Sequence, residues 1–372
     1  MKKQLLAGTA IAAACVLVAG GAAAQDKKMM KPSISVNGYY EGVVGGILDE
    51  DMGADTSALD TRTDAEIHFN GRGSLDNGMK LHARVELEGQ NNHSQAIGRG
   101  SGTVGDPIDE YFIKVSGSFG SITLGGTAGA PVKMLTGMSG SWATGVGENL
   151  SFDDGWVPSE GTTGGQFHRI AHSRLDTGDA EKVTYISPKF GGFQVGMTYS
   201  PRRANHDDNV RPDTTAQPHD GLEGAVSYSG KFGDVGLAVG VGMTAYQGGT
   251  DGGTANQDLS DWLIAARFDF GGGFRVSAAH KRTTDDNEAN QAMLTDIGVR
   301  FVSGANSFSL VGMHGELDVG EASHTKVMGS YARALGPGTT VHLNLLWNES
   351  ENRAGTAQNS GLAGIIGIKV GF

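Results

Sequence analysis

A single cysteine, Cys15, stands among 372 residues, so no disulfide can form within the chain. Exported folds that need covalent staples are cysteine-rich, and this one must hold together by packing and hydrogen bonding instead. Proline is scarce at nine residues, while glycine, at 60, is roughly twice its usual ~7%. The glycines follow no G-x-y period, which excludes collagen, and regularly recurring aromatic and β-branched residues exclude disorder. Positive charge is in deficit, 29 Lys and Arg against 41 Asp and Glu, for a formal net charge of −12. That balance excludes nucleic acid as a partner, since its binders carry a basic face. Beyond the N-terminus no apolar run approaches the ~18–20 residues of a membrane helix. What remains is a soluble all-β secreted protein or a transmembrane β-barrel, which hides its membrane signal by alternating lipid-facing and lumen-facing residues.

What is there begins with Lys2 and Lys3, an apolar run from Leu5 to Gly20, and Ala22-Ala23-Ala24 before the polar Gln25. This is the pattern of a secretory signal peptide over residues 1–24 with an A-x-A cleavage site, leaving one barrel domain over 25–372. A membrane-anchor reading fails on length. Lipidation at Cys15 fails because Ala12 stands where a larger aliphatic is wanted and the apolar run continues to Ala19. Cleavage removes Cys15 and makes the net charge two units more negative.

Alternation carries the fold. Met79, Leu81, Ala83, Val85 and Leu87 interleave with Lys80, His82, Arg84, Glu86 and Glu88, a strand with one apolar and one charged face. The preceding strand puts Ala65, Ile67 and Phe69 on one side, and Arg62, Asp64, Glu66, His68, Asn70 and Arg72 on the other. Asp76-Asn77-Gly78 between them reads as a hairpin turn, because Asn and Gly accept positive φ. The unit repeats through turns at Phe119-Gly120, Phe190-Gly191-Gly192, Gly233-Asp234, Gly271-Gly272-Gly273, Ser303-Gly304 and Gly336-Pro337-Gly338. These are about seven hairpins; an opening strand around Val36 and a closing one ending at Phe372 bring the total to about sixteen strands. Short turns fall at one end of each hairpin and long Asp/Gly/Asn-rich loops at the other, as a single-chain barrel requires of its periplasmic and extracellular ends. Aromatics such as Tyr185, Phe193, Tyr199, Trp262, Phe270 and Trp347 sit near strand ends, where interfacial girdles lie. A soluble sandwich of this length would need two domains, and no linker is visible. The fold class expected is therefore all-β: a closed antiparallel transmembrane barrel with a polar inward face.

One connection breaks the rhythm. Residues 126–179 show no sustained alternation, and long irregular segments are usually functional. Here the chain resembles the Gram-negative general-diffusion porins, above all their α-proteobacterial branch. The resemblance runs over the whole mature chain. It rests on about sixteen strands, the long third extracellular loop, the hairpin Val183-Thr184-Tyr185-Ile186-Ser187-Pro188-Lys189-Phe190-Gly191-Gly192-Phe193, and a terminal Phe372 after Ile366, Ile368 and Val370. It implies a multi-pass homotrimer in the outer membrane of a Gram-negative bacterium. It also implies a third loop folded inward to constrict a water-filled channel for small hydrophilic solutes. Phe372 resembles the signal read by the barrel-insertion machinery, and outer-membrane lipid and lipopolysaccharide are the implied surroundings.

Loop carboxylates facing basic wall residues would set a transverse field across such a constriction. The loop candidates are Glu148, Asp153, Asp154 and Glu160. The wall candidates are Arg62, Arg72, Lys80, Arg84 and Lys114, with Arg84 foremost as the mid-strand cation. The Pro-Glu-Phe-Gly-Gly loop motif of enteric porins is absent, so no loop carboxylate is assigned by motif. Net negative charge leads to an expected weak cation preference. Asp49-Glu50-Asp51, Asp207-Asp208 and Asp285-Asp286 fall on extracellular loops, where a divalent cation such as Ca2+ could bridge them, although no EF-hand spacing exists. His168 and His172 are the nearest approach to a metal pair; no protein metal centre is expected, nor any cofactor. No nucleophile elbow, P-loop or dinucleotide fingerprint appears, which argues against an enzyme. A substrate-specific channel and a plugged barrel serving as a surface adhesin or structural protein are the alternatives.

Overall fold

A computed structural model describes residues 32–51, 59–89, 108–140, 156–157, 178–202, 219–248, 258–285 and 291–372. The expected signal peptide, residues 1–24, lies outside the described residues. The first half of the chain gives β1 (Ser33–Asp51), β2 (Leu59–Ser74), β3 (Lys80–Glu88), β4 (Ile108–Gly117), β5 (Gly120–Gly126), β6 (Glu181–Ile186), β7 (Phe193–Arg202) and β8 (His219–Phe232). The second gives β9 (Val235–Gln247), β10 (Leu259–Asp269), β11 (Phe274–Asp285), β12 (Ala292–Ser303), β13 (Asn306–Leu317), β14 (Ser323–Gly336), β15 (Thr339–Glu351) and β16 (Gln358–Gly371). One short helix, α1 (Ala130–Leu135), continues into a 3-10 turn at Thr136–Met138.

Every strand pairs antiparallel with its sequence neighbours, and β1 pairs with β16, so the sheet closes on itself. Closure leaves no edge strand, which a long open meander would expose. The seam ends in a reciprocal pair: Gly38 N donates to Phe372 O at 2.9 Å, and Phe372 N to Gly38 O at 3.0 Å. The short turns use the residues the sequence marks. Gly78 stands at φ 79°, and Asn77 Oδ1 accepts from Met79 N at 3.1 Å.

Outer and inner faces separate by parity. Large apolar side chains such as Ile113, Leu124, Met197, Val241, Ile264, Ile297, Leu310 and Ile366 stay exposed on the outside. A soluble protein does not present an apolar belt on this scale. Among the described residues no helix is long and apolar enough to cross a membrane, so any crossing is made by strands. Aromatics gather at the short-turn end, with Phe193 against Tyr228, Phe270 against Phe274 and Phe308 against Tyr331.

The inward face is not polar throughout, and here the sequence expectation needs correction. Polar and charged residues line it on β2 to β4, whereas β10 to β16 turn Leu263, Leu294, Val311, Met313, Leu346 and Ile365 inward. These are nearly all buried and share one apolar cluster with Leu135, Met138, Trp156 and Val157 of the long connection. The physical reason is that the connection folds into the barrel and covers that wall. Among the described residues a core therefore exists inside the barrel, running along β8 to β16 and reaching Val43 of β1.

Candidate pore and its constriction

A charged wall is built by β2, β3 and β4, and their register stacks like charges in rows. Arg72, His82 and Lys114 stand side by side on three adjacent strands, and Ser74, Lys80 and Ser116 form the row nearer the short turns. Next above is the row of Asn70, Arg84 and Phe112. No carboxylate occurs in these rows. One step further toward the long loops the sign reverses, with His68 beside Glu86 and Glu66 beside Glu88. The β3–β4 register slips between Val85 and Leu87, and Asp109 joins the same acidic tier. The wall is thus two-tiered, basic near the short turns and acidic near the long loops.

The boundary is pinned by hydrogen bonds. Arg84 pairs with Glu86 and its Nη2 lies 2.9 Å from His68 Nδ1. A guanidinium can only donate, so that contact assigns the His68 proton to Nε2, which lies 2.8 Å from Glu66 and 3.1 Å from Glu86. Tyr39 donates to Glu66 at 2.6 Å and Asp64 at 2.8 Å. Arg72 reaches Ser35 at 3.2 Å and Asn70 at 3.4 Å.

The long connection crosses the lumen to the other wall. Helix α1 carries Pro131 in its first turn, where a missing N–H costs no helical hydrogen bond, and packs on β7, β8 and β9. Its berth is made by glycines: a Cβ at Gly242 would stand 2.7 Å from Leu135, and one at Gly196 would stand 2.8 Å from the Ala130 Cβ. Ala130 N donates to Thr198 Oγ1 at 2.9 Å, and Arg267 donates to Gly137 O at 2.8 Å. Gly140 N donates to the buried carboxylate of Asp296 at 2.7 Å. Farther on, Asn348 Nδ2 donates to Val157 O at 3.2 Å, and Trp156 lies under the Arg62 guanidinium at 4.9 Å.

Below this crossing the far wall is also cationic. Asp269 stands between Arg275 at 2.6 Å and Arg267 at 3.0 Å, and Arg300, next to Arg275 in register, donates to Ser307 at 2.9 Å. At the seam, the buried Glu41 is held by His342 at 3.0 Å and Lys369 at 3.1 Å, and the Lys369 ammonium lies 3.8 Å from the Tyr39 ring centroid.

A family model described as Gram-negative porin matches residues 9–353. The chain belongs to the Gram-negative porin family. No curated protein sequence matches it. Among solved structures, the anion-selective porin from Comamonas acidovorans is similar over 92% of this chain and 100% of its own, with 18% identity and a TM-score of 0.65. OmpT of Vibrio cholerae in its trimer form aligns over 92% of this chain and 100% of its own, at 11% identity and TM-score 0.59. A variant of the Rh. blastica porin aligns over 91% and 100%, at 15% identity and TM-score 0.56. At these identities the structural likeness speaks for the fold. Family and fold together make this an outer-membrane, multi-pass porin that forms a diffusion channel.

The porin wall contains all five basic residues singled out from the sequence. Arg62 lies toward the long loops, Arg84 mid-wall, Arg72 and Lys114 lower, and Lys80 lowest. Arg84 is tied sideways to Glu86 and His68. The loop candidates Glu148, Asp153, Asp154 and Glu160 lie outside the described residues, as do His168, His172, Asp207, Asp208 and the side chains of Asp49, Glu50, Asp51, Asp285 and Asp286. Sequence reasoning missed Lys133, which is carried into the lumen by α1 with its ammonium 5.7 Å from the Phe112 ring centroid. It also missed Asp296, and the gathering of Glu66, His68 and Glu86, whose ligand atoms lie within 4.8 Å of one another. A second group joins Glu66 and Glu88 to Asp109. Their common ground is strand register, which no single strand's sequence displays.

Proposed function

We propose that this porin is a passive channel for small hydrophilic solutes and ions, narrowed by its third loop, without a catalytic step. The observation that carries the reading is the one-sided lumen. The described part of the loop packs on β7–β12 and β15 and meets the other wall at Arg62 of β2 and Phe112 of β4, and in this reading the charged wall of β2–β4 faces the passage. Arg62, Arg72, Lys80, Arg84 and Lys114 are its basic side in this proposal, with Glu148, Asp153, Asp154 and Glu160 as the facing loop carboxylates. A weak cation preference is proposed at the outer mouth, supported by Asp64, Glu66, Glu86, Glu88 and Asp109; the cations beneath keep it weak. The proposal includes assembly as a homotrimer, as the Vibrio cholerae OmpT trimer form suggests. It also includes contact with lipid and lipopolysaccharide, insertion guided by Phe372, and Ca2+ bridging between acidic loops.

Purified protein in planar bilayers should insert in discrete conductance steps, with a small reversal potential of cation-selective sign in a KCl gradient. Anion-selective sign would overturn the preference, and absence of steps would overturn the channel. The apolar cluster inside the barrel gives the plugged-barrel reading its one support. Liposome swelling in small sugars separates the two, since a plugged barrel passes none.

A further inference from the structure

Beneath α1, on the side of the short turns, lies a cavity of about 520 Å³ lined by Lys114, Lys133, Ser116, Ser121, Ser187 and Gln194. Two ammonium groups from different parts of the chain, one on the wall and one on the loop helix, border the same space. Among the described residues the Lys114 ammonium has no hydrogen-bond or ion-pair partner. Its row neighbours are His82 and Arg72 on one side and the neutral Thr123 and Thr184 on the other. Among the described residues no carboxylate pairs with the Lys114 ammonium, and walls of low dielectric intensify its field. The hydroxyls of Ser116 and Ser121 supply donors suited to oxyanion oxygens, whereas Ser187 Oγ already donates to Pro188 O at 2.9 Å. The volume falls in the range of small-molecule sites, ~300–1,000 Å³.

We propose that this chamber is a binding subsite for small doubly charged oxyanions, of the inorganic phosphate or short dicarboxylate kind, which pause there in transit. The proposal rests on the channel reading and adds a substrate class to it. A dianion gains twice what chloride gains from the Lys114 ammonium, and it can accept hydrogen bonds from the Ser116 and Ser121 hydroxyls together. The acidic tier above excludes no such anion arriving from the periplasmic side, where the chamber opens toward the short turns.

The test uses the full-length protein in planar bilayers in KCl, with inorganic phosphate or succinate added at alkaline pH on each side in turn. Both dianions are expected to reduce the current saturably, at lower concentration from the short-turn side. Lys114→Gln is expected to raise the half-blocking concentration about tenfold, the loss of one charge ~6 Å from a dianion in water. Lys114→Arg should restore it to within about twofold. Block by phosphate alone assigns the site to tetrahedral oxyanions, and block by succinate alone to dicarboxylates. A channel that conducts KCl but is blocked by neither, or whose Lys114→Gln variant is blocked like the parent, overturns the subsite and leaves the channel reading intact. Calorimetric titration of the detergent-solubilised protein with phosphate reads the same site without conductance. Heat of binding that vanishes in Lys114→Gln supports the subsite even if no current steps occur, and no heat in the parent overturns it.

Discussion

Asp296 shows how one residue can hold a loop across a lumen. Its carboxylate is almost wholly buried and accepts from Gly140 N, 156 positions away in sequence. A charged acceptor on a backbone donor contributes about 1.5–3 kcal/mol, and orphaning the donor costs on the same order. Asp296→Ala should therefore leave the barrel folded but loosen the loop, read as more frequent current transients in single-channel records. Asp296→Asn, which keeps an acceptor oxygen, should stay close to the parent; equal noise in the two variants would show that the hydrogen bond is not the anchor. Asp296 carried a signal in the sequence, since parity turns it inward between Leu294 and Gly298. Its partner carried none, because residue 140 belongs to a segment without periodicity. Arg84 is the converse case. Its inward aim was legible from alternation, but its lateral ties to Glu86 and His68 depend on the β2–β3 register.

Helix α1 spans six residues, too short for periodicity to announce it, and it exists because the wall is cut to receive it. Gly196, Gly240 and Gly242 face its side chains, and a Cβ at any of them would meet Ala130, Met134, Pro131 or Leu135. Glycines mark the short turns in the sequence, and Gly78, Gly191 and Gly271 stand there at positive φ. Their second use, as space for a close approach, was not separable from the first without the fold. Gly240→Leu should push α1 off β8 and β9 toward the opposite wall, lowering single-channel conductance. The barrel's resistance to SDS without heating should stay near that of the parent. Unchanged conductance in a folded variant would mean that α1 does not border the ion path. The strands themselves were legible because period two with turn residues survives any register, so their number and order emerged from the chain alone. The covered wall also had a sequence trace: Trp262-Leu263-Ile264-Ala265-Ala266 is apolar at both parities, the pattern of a strand buried on both faces.

At the scale of the molecule, closure turns sixteen locally specified strands into a tube with two distinct ends. Which end lies where followed from turn length, and the closing pairing of β1 with β16 followed from strand count. The vertical ordering of charge did not, because it arises when Arg72, His82 and Lys114 align across three strands while Glu66, Glu86 and Glu88 align above them. That ordering has an electrical consequence. Two fixed-charge zones of opposite sign in series form an ionic junction: one polarity fills it with mobile ions and the other empties it. The open pore should therefore rectify, giving unequal currents at equal and opposite voltages when inserted in one orientation. The asymmetry should fade as the Debye length shrinks from ~10 Å at 0.1 M salt to ~3 Å at 1 M. A current–voltage curve that is symmetric at low salt would show that the tiers do not govern the ion path. Otherwise this barrel is a diode, conducting more readily in one direction than in the other.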